Sequence, residues 1–162
     1  MRRIALSLFL FCTVNMINAQ NPFFEKYNTP HQTVPFDKIK NEHYEPAMLE
    51  GIKLHEAEIE AIINNPEAPT FANTIVAYEK SGKFLDRVTT VFGNLRSAET
   101  NDDLQKIAQK MIPLLSEHSN NISLNEKLFQ RVKAVYKQKS KLSLTIEQAK
   151  LLDDIYDGFV RR

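Results

Sequence analysis

Tryptophan is absent from this 162-residue chain, glycine occurs four times and cysteine once. The one cysteine, Cys12, lies within the first twenty residues. Beyond them there is no thiol, so disulfides, zinc-thiolate centres and a cysteine nucleophile are all excluded there. Scarce glycine argues against an all-β fold, which needs many turns. Positive charge is not in excess: 21 Lys and Arg stand against 20 Asp and Glu, a net charge of +1. Without Arg2 and Arg3 the balance is 19 basic against 20 acidic residues. Such a balance draws neither nucleic acid nor an anionic membrane. What is present is apolar: 43% of residues are hydrophobic and 25% charged, a composition that builds a core. The length suits one domain at most.

The first residues form a unit apart. Arg2 and Arg3 precede an apolar run from Ile4 to Val14, broken only by Ser7 and Thr13. Ile17-Asn18-Ala19 then places a small residue before Gln20. This is the layout of a secretory signal peptide over residues 1–19, with cleavage near Ala19. The run is shorter than the roughly 20 apolar residues that span a bilayer. The alternative is an uncleaved membrane anchor. Bulky Phe11 before Cys12 argues against a lipoprotein leader.

Residues 20–40 read as an irregular arm. Pro22, Pro30 and Pro35 bias the residues before them to extended geometry. Phe23, Phe24, Tyr27, Val34, Phe36 and Ile39 are too many large apolar groups for a solvated linker, so the arm is expected to bury them along a larger body. Helical periodicity takes over across residues 41–162, and the fold class is all-α. Tyr44, Met48, Ile52, His55, Ile59, Ile62 and Ile63 share one stripe, with Pro46 near the helix start, where a missing N–H costs nothing. Asn64-Asn65-Pro66 stops that helix. Thr70 caps a long stretch that carries Phe71, Ile75, Tyr78, Leu85, Val88, Phe92 and Leu95. Gly82 either kinks this stretch or divides it into two helices.

Acidic residues in Asn101-Asp102-Asp103 suit the next helix start. Leu104, Ile107, Met111, Leu114 and Leu115 form its expected buried face, and Pro113 is a candidate bend. Ser123 with Glu126, and Thr145 with Gln148, read as capping boxes. Leu128, Phe129, Val132, Val135 and Tyr136 line the helix after the first box. Ile146, Ala149, Leu152, Ile155, Tyr156 and Phe159 line the helix after the second. No Gly or Asn caps that last helix before Arg161-Arg162. The sequence is therefore expected to be part of a larger protein, its apolar stripes needing a partner surface.

Candidate chemistry is thin. His55-Glu56 opens the zinc motif H-E-x-x-H, in which two histidines one turn apart ligate the ion and the Glu activates water. The second histidine position holds Ile59, so the pair is read as a decoy and His55 as a partly buried helix residue. His31, His43 and His118 have no ligand partner by spacing. Asp153, Asp154 and Asp157, like Glu56, Glu58 and Glu60, read as solvated faces rather than paired acids. No G-x-S-x-G or Gly-rich phosphate loop occurs. Asn121-Ile122-Ser123 matches a glycosylation sequon, a triplet common by chance. No catalytic, cofactor-binding or metal-ligating residue is expected in this sequence, and the chain alone is expected to be inactive.

Several stretches taken in order carry a resemblance. Val34-Pro35-Phe36-Asp37-Lys38-Ile39-Lys40 is followed by His43-Tyr44-Glu45-Pro46-Ala47 and Ile59-Glu60-Ala61-Ile62. Then come Asn64-Asn65-Pro66-Glu67-Ala68-Pro69-Thr70-Phe71, Asn73-Thr74, Glu79-Lys80-Ser81-Gly82, Val91-Phe92, Asn94-Leu95 and Asn125-Glu126-Lys127-Leu128-Phe129. Together they resemble the opening of the M3 zinc metallopeptidases, of the peptidyl-dipeptidase Dcp, oligopeptidase A and thimet oligopeptidase type. The resemblance covers essentially residues 21–162. It implies a large, two-lobed helical protein with a deep channel, in which this part helps to wall the channel. It also implies release of C-terminal dipeptides from short peptides. Zinc in the full-length parent would be held by H-E-x-x-H and a later Glu, none of which falls in this sequence. The expected partners are the remainder of the polypeptide and the parent's peptide substrates, with no nucleic acid and no stable membrane anchor. With the leader, the expected location is periplasmic. The alternatives are a free-standing periplasmic helical binding or chaperone-like protein and a membrane-tethered scaffold.

Overall fold

The chain's structure is a computed structural model that describes residues 21–161. The signal-peptide reading of residues 1–19 lies outside the described residues. Among the described residues, six helices and a short 3-10 turn at Lys139–Lys141 follow the arm, and no strand occurs.

Helix α1 (Asn41–Ile63) starts after an extended Lys40, whose backbone N–H donates to Nδ1 of His43 at 3.1 Å. Pro46 is the sixth residue of α1, deeper than its sequence position suggested. The carbonyl of Glu42, four residues earlier, therefore loses a helical partner, and water can replace it because Glu42 is exposed. The helix stops at Ile63, where Asn64-Asn65-Pro66 ended the pattern.

Thr70 caps the next helix reciprocally with Asn73. The Asn73 N–H donates to Thr70 Oγ1 at 3.0 Å, and the Thr70 N–H donates to Asn73 Oδ1 at 2.8 Å. Helix α2 begins as a π-helical turn over Phe71–Val76 and ends as an α-helical turn over Ala77–Lys80. Gly82 then settles the open choice: it divides two helices. Ser81 is extended, and Gly82 adopts φ 71°, the left-handed region that favours glycine. Helix α3 (Lys83–Ala98) begins directly after it.

Helix α4 (Asp102–Ser123) is capped by Asn101, whose side chain accepts from the Leu104 N–H, and it runs through Pro113. The capping box expected at Ser123 is not formed. Ser123 is still helical, and its hydroxyl donates to the Ser119 carbonyl at 2.8 Å. Asn125 caps α5 (Glu126–Tyr136) instead, accepting from the Leu128 N–H at 2.9 Å. Helix α6 (Ile146–Val160) carries the Thr145–Gln148 box as read.

Two buried clusters lie along α1, and a third joins α2, α5 and α6. The first joins the arm, the front half of α1, α3 and the front half of α4 through Phe23, Met48, Val88, Leu104 and Met111. Tyr44 sits in it with its ring 5.4 Å from Phe23 and 5.1 Å from Phe92. The second packs Ile59 and Ile62 against Ile122 and Leu128. The third holds Ile75, Val132, Val135 and Leu152.

The arm buries Phe23 and Tyr27 on this chain's own helices. Phe24 stacks on Phe84 at 5.4 Å, and Arg87 donates to the Phe23 carbonyl at 2.8 Å. Phe36 departs from the expectation and is 56% exposed. Leu114 and Ile146 depart too, at 38% and 87% exposed. The buried line of α4 runs through Leu104, Ala108, Met111, His118 and Ile122, and Leu114 lies roughly 80° round the helix from it. Ile146 lies roughly 120° from buried Leu152.

Candidate functional site

The apolar stripe of α1 is interrupted at His55, between the first and second clusters. His118 of α4 meets it there. The two rings are 5.0 Å apart at 67°, and His118 Nε2 lies 3.1 Å from His55 Nδ1. Sequence spacing gave no hint of this pair, since 63 residues separate its members. The signal that could have found it is a histidine on each of two otherwise apolar stripes.

The other side of His55 faces the break between α2 and α3. Its Nε2 lies 3.2 Å from Ser81 Oγ, and Ser81 Oγ donates to the Tyr78 carbonyl at 2.6 Å. One turn along α1, the Glu58 carboxylate accepts the Gly82 N–H at 2.6 Å. Glycine is required at this turn twice over. Its φ is left-handed, and a Cβ there would stand 2.7 Å from His55 Cε1 and 2.8 Å from Nδ1. A cavity of about 660 Å³ opens beside the pair, with Tyr78, Glu79, Asp86, Leu115 and Ser119 among its walls.

Burial pushes the His55 imidazole below the usual histidine range. The neighbouring His118 adds to this, and Glu58 and Glu56 oppose it. Burial likewise raises the phenols of Tyr27 and Tyr44, whose hydroxyls have no hydrogen-bond partner.

Zinc does not fit these residues. Both ring nitrogens of His55 are engaged, one by His118 and one by Ser81. Glu56 Oε1 is 3.6 Å from His118 Nδ1, on the far side of that ring from His55. Among the described residues, no group of three or more His, Cys, Asp or Glu could hold a metal ion. His31 and His43 stay apart from the pair: His31 is in the arm and His43 bonds Lys40.

The three aspartates of α6 each meet a cation of their own. Lys139 donates to Asp153 at 2.6 Å, Lys150 pairs with Asp154, and Arg161 donates to Asp157 at 3.2 Å. Asn121 is exposed, but its sequon lies in the last turn of α4, with Ile122 buried and the Ser123 hydroxyl turned back on the helix. No described helix is long and apolar enough to cross a membrane.

The described helices form an all-α body, and the chain spans about a fifth of the length of the curated relatives it matches. They correspond to an all-α part of a larger protein. The chain is 45% identical over 140 residues to dipeptidyl carboxypeptidase of Salmonella typhimurium, covering 86% of this chain and 21% of that protein. It is 42% identical over 144 residues to dipeptidyl carboxypeptidase of Escherichia coli, covering 89% and 21%. To oligopeptidase A of Salmonella typhimurium it is 23% identical over 139 residues, covering 86% and 20%. No family model matches the chain. Its homologues are members of the M3 family of metallopeptidases, which are zinc enzymes generally.

Proposed function

We propose that this chain is a non-catalytic helical part of an exported, zinc-dependent peptidyl-dipeptidase, which removes C-terminal dipeptides from short peptides. The observation that carries the proposal is the 45% identity to a dipeptidyl carboxypeptidase over 140 residues, 86% of this chain. Its role is mechanical. The helices wall a channel that admits short, unfolded peptides, while zinc and its ligands come from elsewhere in the polypeptide. The exposed apolar side chains of Leu49, Leu54, Ile112 and Leu124 suit a body that packs against more of the same protein. The leader over residues 1–19 would deliver the protein to the periplasm.

The test compares this 162-residue chain with the product of the complete reading frame on a short blocked peptide, each with and without chelator. Release of C-terminal dipeptides by the longer product alone, abolished by chelation and restored by zinc, is the expected result. Cleavage by the 162-residue chain itself would overturn the non-catalytic assignment. A longer product that lacks dipeptide release would overturn the parent activity.

A further inference from the structure

The hydrogen bonds at the α1–α4 contact fix where each proton sits. Ser81 has one hydroxyl hydrogen, and the Tyr78 carbonyl takes it at 2.6 Å. Ser81 Oγ is therefore an acceptor toward His55 Nε2, 3.2 Å away. A neutral His55 with its hydrogen on Nε2 presents a bare Nδ1. His118 Nε2, 3.1 Å from that atom, is then the donor. His118 Nδ1 is left bare and buried, without a hydrogen-bond partner. The line of donation runs from His118 through His55 and Ser81 to the Tyr78 carbonyl, and so ties α4, α1 and the end of α2 together.

A proton on His118 Nδ1, beside Glu56 Oε1 at 3.6 Å, leaves every bond of the line in place. With that atom occupied, a further proton has only His55 Nδ1 to take. That atom would then be an N–H directed at another N–H, within a pair of cations whose nearest nitrogens are 3.1 Å apart. The bond between α1 and α4 becomes a repulsion. The side chain against which Gly82 has no spare room must then move.

We infer that the His55–His118 line is a proton-controlled latch: it holds the Ser81–Gly82 break against α1 and α4 while His55 Nδ1 is bare, and releases the break when His55 becomes a cation.

The charges around the pair decide the direction. From α1, Glu56 and Glu58 favour the cation. Glu79 of α2, Lys83 and Asp86 of α3 line the same cavity, whereas α4 contributes no charged residue to its walls besides His118 itself. Burial outweighs the carboxylates and holds His55 below its ordinary value. The folded chain thus binds fewer protons there than the unfolded chain. The stabilisation is fully present above the ordinary histidine value of about 6.5 and is lost as pH falls below it. The latch is closed at neutral pH and opens in acid.

Nuclear magnetic resonance on the full chain tests this directly. At neutral pH both His55 and His118 are expected as the Nε2–H tautomer, and His55 is expected to titrate below the ordinary histidine value of about 6.5. Exchange protection of the Gly82 amide should fall by up to about tenfold per pH unit as pH drops below about 6.5 and level off once His55 is charged in the folded chain, while the Leu104 and Met111 amides keep theirs. His55→Gln removes the titrating group, and Gly82 protection should then be independent of pH. An Nδ1–H tautomer at His55, titration of His55 at or above the ordinary histidine value of about 6.5, or flat Gly82 protection in the unaltered chain would each overturn the latch. If the variant does not fold, the tautomer, titration and exchange of the unaltered chain decide by themselves.

Discussion

Replacing Gly82 by alanine is the sharpest perturbation this fold offers. Two costs add. The first is conformational: φ is 71°, and an L-residue held in the left-handed region costs about 1–2 kcal/mol. The second is steric, because the new Cβ would lie 2.7, 2.8 and 3.0 Å from His55 Cε1, Nδ1 and Nε2. The ring must move, and with it go its contacts to Ser81 and His118, at about 1 kcal/mol each. The sum is about 3–4 kcal/mol. With a urea dependence of about 1–3 kcal/mol per molar, the midpoint of unfolding should fall by roughly 1–4 M. The two costs separate in a double-mutant cycle. In a His55→Ala background the steric part is already gone, so Gly82→Ala should then cost only about 1–2 kcal/mol. Equal costs in the two backgrounds would refute the claim that His55 is what makes glycine necessary.

Other consequences are simpler. Asn125→Ala should lower stability by about 1 kcal/mol through loss of the α5 cap, while Ser123→Ala should change it by less than about 0.5 kcal/mol. The reverse ranking in thermal unfolding would restore the cap to Ser123. Arg87→Ala removes the bond to the Phe23 carbonyl and the cation over the Tyr27 ring at 5.0 Å. It should cost about 2–3 kcal/mol and expose residues 21–27 to limited proteolysis. An arm as resistant as before would show that Phe23 and Tyr27 hold it unaided. Arg131→Ala should loosen the turn before α2, because Arg131 donates to the Asn65 carbonyl at 2.9 Å and the Glu67 carbonyl at 3.3 Å. Faster amide exchange confined to residues 64–73 is the expected signature, and unchanged exchange there would refute it.

Local chemistry was legible in the sequence wherever it depends on neighbours in the chain. Thr70 and Thr145 cap because each has its acceptor oxygen and its partner amide three residues apart. The stop at Asn64-Asn65-Pro66 was equally plain, as were the stripes through Met48 and Ile59 or through Val132 and Val135. Errors arose where two local readings compete. Ser123 can cap a new helix or bond back to its own, and the packing of Ile122 into the second cluster carries α4 one turn further. Leu114 and Leu115 both look apolar, and only the α1 contact decides which of the two turns inward.

By itself, the sequence determined the all-α class, the helix starts at Thr70 and Thr145, the lack of disulfides past Cys12 and the relationship to M3 peptidases. Those follow from composition, from contacts within one helical turn and from the order of short motifs. Only the tertiary structure decided that Gly82 divides two helices, and that the arm folds onto α1 and α3. It alone brought His55 and His118 within hydrogen-bond distance. These outcomes depend on which faces of distant helices meet. The pairing of two stripes more than sixty residues apart is set by the sum of many weak packing contacts and leaves no local mark on the chain.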